Sequence, residues 1–104
     1  MSSPPLTQLT LAFPPELEAR LVEFVLEQAP PLAGFTSLHA HGHGADFSTA
    51  TTHERVRGRV RRSLILMVTT TKQIETLLDA LRGEFPNQHV VWWTQPVSGF
   101  GRLA

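Results

Sequence analysis

The stretch Arg55-Val56-Arg57-Gly58-Arg59-Val60-Arg61-Arg62-Ser63-Leu64-Ile65-Leu66-Met67-Val68-Thr69 opens on alternating arginine and small or apolar residues and closes on an unbroken apolar run. A period of two marks a pleated strand with two different faces, and a continuous apolar run marks one buried on both. Ile65 and Met67 fall opposite Leu64, Leu66 and Val68, so this long strand is apolar on both sides over its second half. Directly after it, Thr70-Thr71-Lys72-Gln73 fits a capping box, with Thr70 as the cap and Gln73 reaching back. Ile74, Leu77, Leu78, Leu81 and Phe85 then recur at helical spacing. Pro86-Asn87 turns the chain into a last strand, Val90 to Val97, with Val91, Trp93, Gln95 and Val97 on one side.

The same order holds toward the N-terminus. Leu9, Leu11 and Phe13 alternate with Thr10 and Ala12 and predict a strand over Leu6 to Phe13. Pro14-Pro15 ends it, and Pro15 suits the first turn of a helix, where no amide donor is needed. Glu16 to Gln28 is predicted helical: Leu17, Leu21, Phe24, Val25 and Gln28 share one face, and Glu16, Glu23 and Glu27 face water. Ala29-Pro30-Pro31 stops that helix, and Gly34 leads into a second strand, Phe35 to His41. Residues 42–54 lack a sustained period and predict a long mobile loop, a feature that is uncommon in compact domains and often functional.

Strand, helix, strand, then strand, helix, strand is the split β-α-β arrangement. The expected fold class is α+β: a ferredoxin-like βαββαβ domain, its four-stranded antiparallel sheet carrying both helices on one face. With 104 residues the chain makes one domain, 1–104. A sheet that is apolar on both sides leaves one face for another subunit, so an oligomer is expected.

Composition narrows the function classes. Nine basic and nine acidic residues cancel, which speaks against nucleic-acid binding. The absence of cysteine excludes disulfides, thiolate metal sites and a cysteine nucleophile. The start Met1-Ser2-Ser3-Pro4-Pro5 lacks a signal-peptide pattern, and no apolar run approaches the ~20 residues of a spanning helix. A cytoplasmic protein, not inserted in a membrane, is expected. No acid–base or nucleophile constellation stands out, so binding rather than enzymatic catalysis is expected.

Two clusters carry candidate chemistry. His39, His41 and His43 share a strand face, and neutral imidazole is a common ligand for zinc, copper and nickel. Four residues of strand span about 13 Å, so all three reach one ion only if the chain bends, as Gly42 would permit. His53 and Asp46 in the loop are candidate supplementary ligands; the bland alternative is a polar strand end. Five of the eight arginines lie between Arg55 and Arg62. Arg55, Arg57, Arg59 and Arg61 project from one face and Arg62 from the other, suiting phosphate or carboxylate oxygens or, equally, a solvated edge paired with acids such as Glu54. Arg102, in Ser98-Gly99-Phe100-Gly101-Arg102, offers a further basic group in a flexible tail.

Across nearly the whole length this layout resembles the PII-like superfamily of trimeric ferredoxin-like signalling proteins. Gly34-Phe35 opens the second strand as Gly-Phe does there. Gly42-His43-Gly44 enters a loop at the place of the partner-reading T-loop, Val56-Arg57-Gly58-Arg59 closes it, and Trp93-Thr94-Gln95-Pro96-Val97 resembles the last strand. His-Gly at the loop entry, the Arg-Val-x-Gly-Arg stretch and Phe100-Gly101-Arg102-Leu103 are most similar to a small bacterial branch associated with heavy-metal efflux systems. The PII Gly-x-Gly-Lys turn is replaced by Phe85-Pro86-Asn87-Gln88-His89, and Thr36-Ser37-Leu38-His39 stands where Gly-Arg-Gln-Lys follows Gly-Phe. There is no tyrosine for modification. ATP binding and 2-oxoglutarate sensing are therefore not carried over.

The resemblance implies a homotrimeric regulator. It would bind a metal ion or small anion through His39, His41, His43 and His53 or through Arg57, Arg59, Arg61 and Arg102. A T-loop equivalent over 42–54, with Gly42, Gly44, Asp46 and Glu54, would contact a partner such as a membrane transporter or efflux component. The rival reading is a divalent-metal-binding tolerance protein similar to CutA, which shares the trimeric fold and needs no regulated partner.

Overall fold

A computed structural model describes residues 3–28, 34–43 and 59–104, with the backbone alone for Arg59. The elements are β1 (Leu6–Phe13), a 3-10 turn (Pro15–Leu17), α1 (Glu18–Glu27), β2 (Phe35–His43), β3 (Arg59–Thr70), α2 (Thr71–Glu84) and β4 (Val91–Val97). The four strands form one sheet in the order β2-β3-β1-β4. Every neighbouring pair is antiparallel. This is the expected ferredoxin-like α+β fold.

β1 and β3 form the centre, in register from Leu6 opposite Thr70 to Phe13 opposite Ser63. Alternation then commits Leu9, Leu11 and Phe13 of β1, and Ile65 and Met67 of β3, to one face. There they meet Leu21 and Val25 of α1 and Ile74, Leu77, Leu78 and Leu81 of α2, and all of them are buried. Phe85 caps α2 at its C-terminus and stands edge-on to Phe24 of α1, with ring centroids 5.4 Å apart. The Arg20 guanidinium lies 5.2 Å from the Phe85 ring centroid. A T-shaped aromatic pair under a cation ties the two helices together at that end.

The start of α2 is capped as expected in one half only. The Thr70 hydroxyl accepts the Gln73 backbone N–H at 3.2 Å. The Gln73 side chain, however, takes the hydroxyl of Thr69 instead of reaching back to the cap. Thr69 is buried at the end of β3, so its hydroxyl needs a partner and offers Gln73 a nearer one.

Several boundaries differ from the sequence expectation. Pro15 opens a 3-10 turn, and the α-helix proper starts at Glu18 and ends at Glu27. β4 starts at Val91 instead of Val90. β3 runs one residue further, to Thr70, and its expected first residues, 55–58, lie outside the described residues. Most consequential is β2, which does not end at His41. Gly42 pairs with Val60 and His43 with Arg59, so the strand continues through His43. Gly42 is no hinge. Among the described residues the left-handed glycine is Gly34, at φ 74°, which leads into β2. The remainder of the expected loop, residues 44–54, lies outside the described residues.

The opposite face of the sheet carries no helix among the described residues. Leu64, Leu66 and Val68 of β3 are half-buried there, while Leu38, Val91 and Trp93 are exposed at 41%, 52% and 44%. Among the described residues, no helix is long and apolar enough to cross a membrane.

Two outcomes follow for stability. Leu9→Ala removes a fully buried side chain between both helices and should cost about 2–5 kcal/mol in urea unfolding. Gly42→Ala places a methyl 3.4 Å from Val60 Cγ1, ordinary contact, in extended backbone. It should be neutral or stabilising by up to about 1 kcal/mol, because alanine loses less backbone entropy than glycine in a strand. A marked loss would instead mean that Gly42 bends.

Candidate functional site

β2 is an edge strand, and its pairing with β3 decides what its histidines meet. His39, His41 and His43 lie opposite Ser63, Arg61 and Arg59. By strand alternation all six positions belong to the helix-bearing face, the face of Phe13 and Ile65. The helices, however, cover the middle strands and leave this end open, so His39, His41, His43 and Arg61 are exposed.

α1 reaches the site through its first residue. Glu18 Oε1 lies 3.3 Å from His39 Nε2. The pair is solvent-exposed, with the imidazole 76% and the carboxylate 31% accessible, so it orients the ring more than it stabilises the fold. Pro15, His39, Ala40, His41, Arg61 and Arg62 line a shallow depression of about 190 Å³ here. The result is an imidazole–carboxylate pair and an imidazole–guanidinium pair side by side on one open surface. Such a surface can take a metal at the first pair or an oxyanion at the second.

Strand spacing keeps the histidines apart. β2 is regular through His43, so His39 and His43 remain about 13 Å apart along the strand. Among the described residues, no group of three or more histidines and carboxylates is gathered to hold one ion. The convergence that a bend at Gly42 would allow does not occur. Gly42 lies instead against the side chains of Val60 and Arg62, which a β-carbon there would touch.

The expected arginine face is kept where it is described, with Arg61 and the backbone position of Arg59 beside the histidines and Arg62 on the other face. Arg62 is half-buried, and its Nη1 has no hydrogen-bond partner among the described residues. Arg102 is not part of this site. Its tail leaves β4 at Val97, which pairs with Leu6 beside Thr70. That edge lies about 30 Å along β3 from Arg61, taking the usual strand rise. Gly44, Asp46, His53, Glu54, Arg55 and Arg57 lie outside the described residues.

Two site residues were not expected from sequence. Glu18 stands among several surface glutamates, and only its place at the head of α1, next to β2, distinguishes it. Ser63 is fully buried opposite both Phe13 and His39, and its hydroxyl has no partner among the described residues. A serine within Arg62-Ser63-Leu64 gives no outward sign of that.

Comparison with known proteins agrees with the fold. A crystal structure of a DUF3240 family protein from Shewanella baltica superposes with a TM-score of 0.75 at 18% identity over 100% of both chains. A candidate PII-like signalling protein from Thermus thermophilus gives a TM-score of 0.63 at 24% identity, over 93% of this chain and 91% of that one. A Bacillus cereus protein related to NIF3 gives 0.68 at 11% identity, over 98% of this chain and 27% of the other. No curated protein matches the sequence. The family model described as "protein of unknown function (DUF3240)" matches residues 3–104, and the chain therefore belongs to the DUF3240 family.

Proposed function

We propose that this protein is a non-enzymatic, PII-like regulator that takes a small ligand on the β2–β3 face and thereby changes how residues 44–58 meet a partner. The observation that carries the reading is the placement of His39, His41 and Glu18 on one open surface at the strand ends that lead into and out of that segment. A ligand bound there favours one arrangement of the adjoining chain by its difference in affinity for the two arrangements. The fold likeness to a PII-like signalling protein supports the regulatory class.

The first ligand class is a divalent transition metal, zinc, copper or nickel. His39 and Glu18 are already in contact, and His41 is the next side chain on the same face. Two or three such ligands leave a tetrahedral ion unfilled. His53, Asp46 or a neighbouring subunit would complete it. A second reading, a small oxyanion, is favoured by Arg61 standing directly across from His41, since a guanidinium repels a cation and attracts an anion. In the regulatory reading the partner is a transporter or efflux component; in the rival reading the protein is a metal-tolerance buffer and needs none.

The open sheet face suggests the assembly. Leu38, Val91 and Trp93 sit exposed around the half-buried Leu64, Leu66 and Val68, which suits a closed homotrimer that turns these faces inward.

Calorimetric titration of zinc, nickel and copper should show binding by the wild type that is weakened at least about tenfold in a His39→Ala, His41→Ala variant. A metal needs neutral imidazole and competes with protons for it, so affinity should fall as the solution is acidified. Equal binding by both proteins would remove the metal reading. Binding of phosphate or a dicarboxylate, lost in Arg61→Ala, would establish the anion reading. For the assembly, sedimentation at micromolar concentration should give a trimer for the wild type and smaller species for Trp93→Glu; a wild-type monomer would rule the trimer out.

A further inference from the structure

A second concave surface lies on the helix side of the sheet, at the other edge strand. Helices α1 and α2 leave β4 uncovered, so a groove runs between α2 and β4. Near its polar end the lining includes Thr7, Glu75, Asp79, Arg82, Trp92 and Thr94, around a volume of about 450 Å³. It continues into an apolar part of about 210 Å³ past Leu78, Leu81 and Phe85, sharing Arg82 and Trp92. The Arg82 guanidinium lies 5.6 Å from the Trp92 ring centroid and is held at 2.8 Å by Asp79. Trp92 is nevertheless 44% exposed. With Glu75, Asp79 and Arg82 the rim carries one net negative charge.

The C-terminal tail has the complementary pattern. Residues 98–104 are exposed throughout, and Phe100 and Leu103 are large apolar side chains left in water, Leu103 entirely so. Between them stands Arg102. An apolar residue, a cation and another apolar residue match a groove of apolar floor and acidic rim. The tail does not lie in its own groove, since its apolar side chains are exposed while the groove is open.

We infer that the tail of one copy docks into the α2–β4 groove of a second copy, with Phe100 and Leu103 against Leu78 and Trp92 and Arg102 against Glu75. This surface is separate from the histidine face, and the inference stands whether or not a ligand binds there.

The absence of native cysteine makes a direct test clean. Full-length Leu103→Cys protein is mixed with a larger, tagged full-length Thr94→Cys protein under mild oxidation, after urea unfolding has shown both to be folded. Docking raises the local concentration to roughly the millimolar range, so the mixed disulfide should form at least about tenfold faster than with a Glu23→Cys control on the outer side of α1. Arg102→Glu in the tail copy should slow it, and Glu75→Arg in the groove copy should restore it. A rate no higher than the control overturns the inference. So does insensitivity to both charge reversals.

Discussion

The register between β1 and β3 is the constraint on which the rest of this molecule depends. Leu9 opposite Met67 and Leu11 opposite Ile65 put four buried core side chains on one face. Because side chains alternate, the same pairing sends Leu64, Leu66 and Val68 to the other face. A slip of one residue would exchange these sets, but both are apolar, so hydrophobicity alone does not forbid it. Thr7 and Thr69 help to decide. Both are buried on the helix side beside the start of α2, where the Thr7 hydroxyl meets that of Thr71 at 2.7 Å and Thr69 engages Gln73. Those polar contacts exist in one register only.

The histidine face inherits its geometry from this pairing. β3 is long enough to run beyond β1, which ends at Phe13 opposite Ser63, and to keep β2 company as far as His43. The projecting two-stranded ribbon carries His41, His43 and Arg61 clear of the core, where they are exposed, while His39 stands at its base within reach of Glu18. A site so placed is open to ligand and contiguous with the chain between β2 and β3.

Much of this was legible in the sequence, for identifiable reasons. β1 matched its expected bounds because alternating apolar residues ended at Pro14-Pro15. The buried stripe of α2 matched because Ile74, Leu77, Leu78 and Leu81 follow the helical repeat without interruption. β2 was cut short because Gly42 looks like a breaker in isolation, whereas cross-strand pairing with Val60 holds it extended. The histidine–arginine juxtaposition needed the β2–β3 register, and residues 44–54, which lie between the two strands in sequence, have no period from which to count it. Glu18 needed tertiary structure altogether: its partner is 21 residues away.

The central claim is that ligand is received by the β2 histidines beside Glu18 and Arg61. Side-chain nitrogen NMR of the five histidines tests it most directly, because each ring reports separately. On addition of zinc, nickel or phosphate, the His39 and His41 ring nitrogens should shift first and saturably, with His89, in the turn before β4, unmoved. Saturable shifts confined to His89 or His53, or none in any ring with all three probes, would contradict it.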